Sequence, residues 1–87
     1  MIEELSELEL CVLKFIIDFL DDHDYSWFSF QALMRYYWRH PIRERVTWHT
    51  VARTIRKLRK KGVLIRLPSR RGRYKVQDDV LLEFSKC

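Results

Sequence analysis

The sequence predicts an α+β domain, mostly α, with one β-hairpin near its end. Three observations carry this. Between Thr47 and Gly62 apolar residues recur at helical spacing inside clear start and stop signals, and two further helical stripes precede them, near 7–20 and 30–39. From Val63 to Val76 the pattern changes to alternation around a Pro-Ser-Arg-Arg-Gly turn, which reads as two strands and their connection. The 87 residues fit a single domain spanning 1–87, with no internal repeat, low-complexity segment or interdomain linker.

In chain order, Ser6 followed by Glu9 has the form of a capping box, so the first helix begins near Glu7 and runs to about Leu20. Leu10, Leu13, Ile17 and Leu20, with Ile16, form its apolar stripe. Val12, Phe15 and Phe19 extend that surface almost around the cylinder, more than one small domain covers on one side. Either the last helix covers the remainder or a second copy of the chain does. Asp18, Asp21, Asp22 and Asp24 oppose the macrodipole at the helix end and are expected to face away from any polyanion. His23 among them is not read as a metal ligand, because these are neighbours on one turn with no second cluster elsewhere.

A very short strand fits residues 25–28. Ser29 is positioned to cap a second helix, about 30–39, with Phe30, Leu33, Met34 and Tyr37 inward and Arg35, Tyr36, Trp38 and Arg39 on or near the outward side. Trp38 is nonetheless read as completing the core. Pro41 stops this helix, and the loop His40 to Val46 is anchored by Ile42 and Val46. The third helix covers about 48–61 between Thr47 as N-cap and Gly62 as a left-handed stop. The hairpin occupies 63–76, with Tyr74 and Val76 on one face. Asp78 or Asp79 caps a last helix, about 79–85, whose Leu81, Leu82 and Phe84 need burial.

The third helix is the most informative stretch. At about 100° per residue Val51, Ile55 and Leu58 share one narrow face, with Ala52 at its edge, while His49, Arg53, Arg56, Lys57 and Lys60 lie opposite with Thr50 beside them. Seven of the thirteen side chains from His49 to Lys61 are Lys, Arg or His, and none is acidic. Solvated helix faces usually mix signs, because like charges at i,i+4 repel. A purely cationic face points to a polyanionic partner. The overall charge of +5 hides a division: residues 1–24 hold eight acids and one base, a net −7, and residues 25–87 hold sixteen bases and four acids, a net +12. Partner binding is expected in the second part.

Other functions lack the residues they need. No apolar run approaches the roughly 18 residues of a membrane span, and the first residues are acidic where a signal peptide is basic, so a cytoplasmic location and no membrane partner are expected. Cys11 and Cys87 form no CxxC pair; Cys11 reads as a small hydrophobe on a helix and Cys87 as a terminal thiol. His23, His40 and His49 occupy unrelated segments, no Ser or Cys stands with a base, and Gly62 and Gly72 are the only glycines, too few for a phosphate-binding loop. No enzymatic activity, cofactor, metal or small-molecule ligand is expected.

The order helix, short strand, helix, basic helix, hairpin, helix resembles the winged helix-turn-helix over residues 5 to about 84. Its most specific part is TVARTIRKLRKKGVLIRLPSRRGRYKV, Thr50 to Val76, which looks like the helix-to-wing passage of small bacterial and archaeal winged-helix transcription factors, similar in scale to single-domain regulators of archaea and their viruses. The resemblance implies a three-helix core, a wing and a C-terminal helix, sequence-specific binding of double-stranded DNA and a role in transcription regulation. It places the third helix in the major groove and the wing around Ser69 to Arg73 on the backbone or minor groove. The first turns of such a helix lie deepest, so His49, Thr50, Arg53 and Arg56 are the base-reading candidates. Lys57, Lys60, Lys61, Ser69, Arg70, Arg71 and Arg73, with Arg43 and Arg45 as further candidates, would meet phosphates. Regulators of this type usually bind inverted half-sites as homodimers, for which Phe15, Phe19, Leu81, Leu82 and Phe84 are the candidate contacts. The loop between the second and third helices is longer than the tight turn of a compact helix-turn-helix. Winged helices also serve as protein–protein or non-specific nucleic-acid modules of replication or transcription complexes, the alternative function.

Overall fold

The capping box at Ser6 and Glu9 closes in both directions. In the computed structural model, which describes residues 2–68 and 72–85, Ser6 Oγ accepts the Glu9 N–H at 3.2 Å and Glu9 Oε1 accepts the Ser6 N–H at 2.9 Å. Helix α1 (Glu7–His23) follows, behind a 3₁₀ turn at Ile2–Glu4. It continues past the expected end at Leu20. The added turn is held by His23, whose Nδ1–H donates to the Phe19 carbonyl at 2.9 Å while its ring stacks on Phe19 at 4.3 Å. The stop is Asp24, in the left-handed region at φ 54, with the Tyr25 N–H returning to the Leu20 carbonyl at 2.9 Å.

Strand β1 (Phe28–Ser29) leads directly into α2 (Phe30–Tyr37), where Ser29 Oγ accepts the Ala32 N–H. α2 ends before Arg39 because the Arg39 and His40 amides bond to the Tyr36 and Tyr37 carbonyls and tighten the last turn. The expected loop then contains a 3₁₀ turn (Pro41–Glu44). His40 Nδ1 accepts the Ile42 N–H at 3.0 Å, which leaves the proton on Nε2 to be donated to Asp18 at 3.0 Å. The loop is thereby tied to α1, and Tyr37 secures its other end through its hydroxyl on the Val46 carbonyl, at 2.6 Å.

Helix α3 (Trp48–Lys60) ends at Gly62, φ 82, whose N–H returns to the Arg59 carbonyl while the Val63 N–H reaches that of Leu58, at 3.1 and 3.0 Å. These two bonds are the Schellman pair, and a side chain at this φ would be strained. Strands β2 (Leu64–Arg66) and β3 (Arg73–Val76) and helix α4 (Asp78–Ser85) complete the chain. Asp78 and Asp79 lie in the first turn of α4 rather than before it, where their charge still favours the positive end of the helix.

The chain is thus α+β and mostly helical, with four α-helices and a three-stranded antiparallel sheet in the order β1-β3-β2 among the described residues. Phe28 pairs with Tyr74 and Ser29 with Arg73; Leu64 pairs with Val76, Ile65 with Lys75 and Arg66 with Tyr74. Leu64, Val76, Tyr74 and Phe28 therefore share the inner face, and Ile65, 39% exposed, lies on the outer one. The core joins Val12, Leu13, Phe15, Ile16 and Phe19 of α1 to Leu33, Val51, Leu58, Leu64, Val76 and Val80. No described helix is long and apolar enough to cross a membrane.

Several side chains depart from the sequence expectation. Phe15 and Phe19, candidates for a dimer contact, are each 1% exposed and lie within one chain's core, against Tyr36 at 5.6 and 5.4 Å. The excess apolar surface of α1 is covered by α2, using a residue assigned outward by periodicity. Tyr36 donates its hydroxyl to Asp22, and burial together with that carboxylate raises its phenol above the ordinary value. Trp38, read as core, is 59% exposed, and Met34, read as inward, is 37% exposed; α2 turns Leu33 and Tyr37 inward instead.

Glu9 does more than cap. It is 5% exposed, and its Oε1 also accepts from Lys61 Nζ at 2.8 Å, pinning the end of α3 to the start of α1. The Lys61 hydrogen bond, then the Ser6 amide, hold its carboxyl below the ordinary 4.5, against the opposing effect of burial. A depressed carboxyl contributes stability that is present above the unfolded-state value and is lost as pH falls through the folded one. Glu9→Gln is accordingly expected to cost roughly 1–2 kcal/mol at neutral pH and almost nothing in strong acid. Thermal unfolding of both proteins between neutral pH and acid checks this; parallel curves that never converge would contradict it.

Candidate nucleic-acid interface

The first turn of α3 is built from hydroxyls. Thr47 Oγ1 accepts the Thr50 N–H at 3.2 Å, and the Thr47 and Thr50 hydroxyls lie 2.9 Å apart. Thr54, on the buried side, donates to the Thr50 carbonyl at 2.8 Å and so enters the core with its polar atom satisfied. Val51, Thr54, Ile55 and Leu58 are buried. Trp48 packs edge-on against Phe30 at 5.2 Å and lies tilted against Tyr37 at 5.5 Å, fixing the start of α3 on α2.

On the opposite side His49, Arg53, Arg56, Lys57 and Lys60 are all exposed, and Thr50 is half-buried at their edge. Among the described residues the ion pairs are His40 with Asp18, Lys61 with Glu9 and Lys75 with Asp78, so none engages this face. Arg53, Arg56, Lys57 and Lys60 are thus exposed cations without an ion-pair partner among the described residues. Lys61, expected on a phosphate, is directed back to α1 by Glu9.

The sheet borders this surface. A shallow cleft of about 280 Å³ is lined by Phe30, Ile55, Arg56, Arg59 and Tyr74, so the flank of α3 meets the inner face of β3 directly. Arg59 stands over the Tyr74 ring at 5.9 Å, and Arg66 is the cross-strand partner of Tyr74. Arg56 and Arg59 thus line the junction between helix and hairpin, and Arg66 neighbours Tyr74 on the adjoining strand. Arg59 and Arg66 were not among the sequence-derived site residues. Arg59 lies between the buried and cationic faces of the helix, and the position of Arg66 depends on the strand register. Arg73 lies on the outer face, over the Trp27 ring at 4.3 Å. Ser69, Arg70 and Arg71 at the hairpin tip, and Cys87, lie outside the described residues.

Elsewhere, Arg43 and Arg45 are exposed on and just after the 3₁₀ turn, Cys11 is half-buried on α1, and of the aspartates towards the end of α1 Asp18 is engaged by His40 and Asp22 by Tyr36. Leu81 and Phe84 of α4 pack partly on the core, while Leu82 is 59% exposed beside an open groove of about 470 Å³ between α1 and α4.

No protein-family model matches the chain, nor does any curated protein or solved structure. Geometry and charge therefore carry the functional assignment.

Proposed function

We propose that this is a winged helix-turn-helix protein that binds double-stranded DNA sequence-specifically and regulates transcription. The observation that carries the reading is the exposed, acid-free face of α3, His49, Arg53, Arg56, Lys57 and Lys60, with Arg59 on the flank of the same helix and a neighbouring hairpin that carries Arg66 on β2 and Arg73 at the start of β3, beside the turn. α3 lies in the major groove, where His49, Thr50, Arg53 and Arg56 reach base edges, and Lys57, Lys60 and the hairpin arginines meet phosphates. β2 and β3 form the wing. Two copies bind inverted half-sites, and with Phe15 and Phe19 committed to the core, the contact between them falls to α4: Leu82 with Leu81 and Phe84, beside Ile17 of α1.

The test is a titration of random duplex against salt, followed by selection from a random oligonucleotide pool. Four or five phosphate contacts per copy give a log–log salt slope of about −4. The selected sequences are expected to form a palindrome bound by two copies. A salt-independent or undetectable interaction with duplex would leave the protein–protein module as the better assignment, and an asymmetric consensus bound by one copy would remove the dimer.

A further inference from the structure

The rings around Trp27 are stacked in sequence. Phe19, in the core, stacks with His23 at 4.3 Å and an interplanar angle of 29°; His23 stacks with Tyr25 at 5.5 Å and 30°; Tyr25 stacks with Trp27 at 5.6 Å and 4°. Arg73 completes the series, its guanidinium carbon 4.3 Å from the Trp27 centroid. The series runs from the middle of the domain to the first residue of β3. Arg73 is also where the hairpin closes: its carbonyl accepts the Leu67 N–H at 2.9 Å, and it follows Gly72, which has φ 69.

An exposed aromatic among bases on a sheet is the usual platform for stacking a nucleobase. That use is poorly served here, because Trp27 lies against Tyr25 and beneath Arg73, and Tyr25 lies against both Trp27 and His23. The stack orders a guanidinium instead. A guanidinium over an aromatic face keeps its in-plane N–H donors available to a phosphate, and an arginine already held in place loses less side-chain entropy on contact.

We infer that Trp27 is a positioning residue for nucleic-acid binding: braced through Tyr25 and His23 on Phe19, its indole holds the Arg73 guanidinium ready at the start of β3, beside the hairpin turn, as a phosphate contact. The inference rests on the DNA-binding reading above and assigns Trp27 a part that no local sequence pattern marks. Charge alone marks Arg73; only the register that sets Ser29 opposite Arg73 brings Trp27 beside it.

The experiment measures the affinity of the full chain for a random duplex at several salt concentrations, using wild type, Trp27→Leu, Trp27→Phe, Arg73→Gln and the Trp27→Leu/Arg73→Gln double variant. Trp27→Leu and Arg73→Gln are each expected to weaken binding about three- to tenfold near 0.1 M salt and to flatten the log–log slope by about 0.9, the loss of one phosphate contact. Trp27→Phe, which keeps an aromatic face, should bind within about twofold of wild type, and the double variant no more weakly than Arg73→Gln. A merely structural tryptophan would weaken binding without changing the slope and would add to Arg73→Gln. That pattern overturns the inference, as does a slope unchanged by Arg73→Gln, a surface substitution that tests the contact even if Trp27→Leu fails to fold. Wild-type protein that does not bind duplex would instead remove the DNA-binding reading itself.

Discussion

Arg53→Ala is expected to weaken binding to the selected duplex by about 1–3 kcal/mol and to relax sequence preference at one or two positions, with a much smaller loss on random DNA. Arg53 lies on the second turn of α3, exposed and without an ion-pair partner among the described residues, on the face that also carries His49, Arg56 and Lys60. In the first half of a recognition helix a guanidinium meets O6 and N7 of a guanine as a two-toothed donor, a contact that other base pairs do not reproduce. Lys60 closes the helix, which on the proposed docking is where the axis would leave the groove floor, and an ammonium is a point charge without directional preference. Lys60→Ala should therefore weaken selected and random duplexes alike and reduce the salt slope by about 0.9. Titrating both variants on both duplexes at fixed salt checks this division. Equal losses on the two duplexes for Arg53→Ala would remove base reading from α3 and leave it a backbone contact only.

The elements of the fold were legible because their signals are local. Ser6, Ser29 and Thr47 each cap a helix, and Gly62 supplies the left-handed stop after α3. The last turn of α1 was not legible, because it depends on a histidine stacked over Phe19, and three aspartates in its vicinity read as a loop. The same limit applies to the candidate site. The cationic face of α3 follows from periodicity, since every side chain concerned lies on one helix. The engagement of Lys61 by Glu9, the aromatic beneath Arg73 and the junction of Arg59 with Tyr74 each join residues from separate elements. Their partners are set by strand register and helix docking, which a local pattern does not contain. Trp38 shows the converse error: hydrophobicity alone argued for burial, but the tightening of α2 at Tyr37 turns the next side chain out to solvent.

Phe19→Ala is expected to be among the most destabilising single substitutions in the chain, at about 3–5 kcal/mol, without changing the number of copies in the assembly. The ring is 1% exposed and is packed by three others, His23 at 4.3 Å, Tyr36 at 5.4 Å and Tyr25 at 6.3 Å. Removing it leaves a cavity that these rings cannot all close, because Tyr36 is tethered to Asp22 and His23 to the Phe19 carbonyl. Each kcal/mol lowers the melting temperature of a domain of this size by about 4–8 °C, so the midpoint falls by roughly 12–40 °C. The sequence-level alternative, Phe19 as part of a surface between two copies, makes a different prediction: a smaller assembly, a melting temperature that depends on protein concentration, and little loss in the isolated chain. Melting curves over a hundredfold range of concentration, with light scattering on the same samples, separate the two. Leu82→Ala is the matched control, since Leu82 is 59% exposed on α4 and substitution of a surface side chain usually changes stability by no more than about 0.5 kcal/mol. If α4 is the contact between copies, Leu82→Ala shifts the mass and Phe19→Ala shifts the melting temperature; the reverse assignment would return Phe19 to the interface and reopen how α1 is covered.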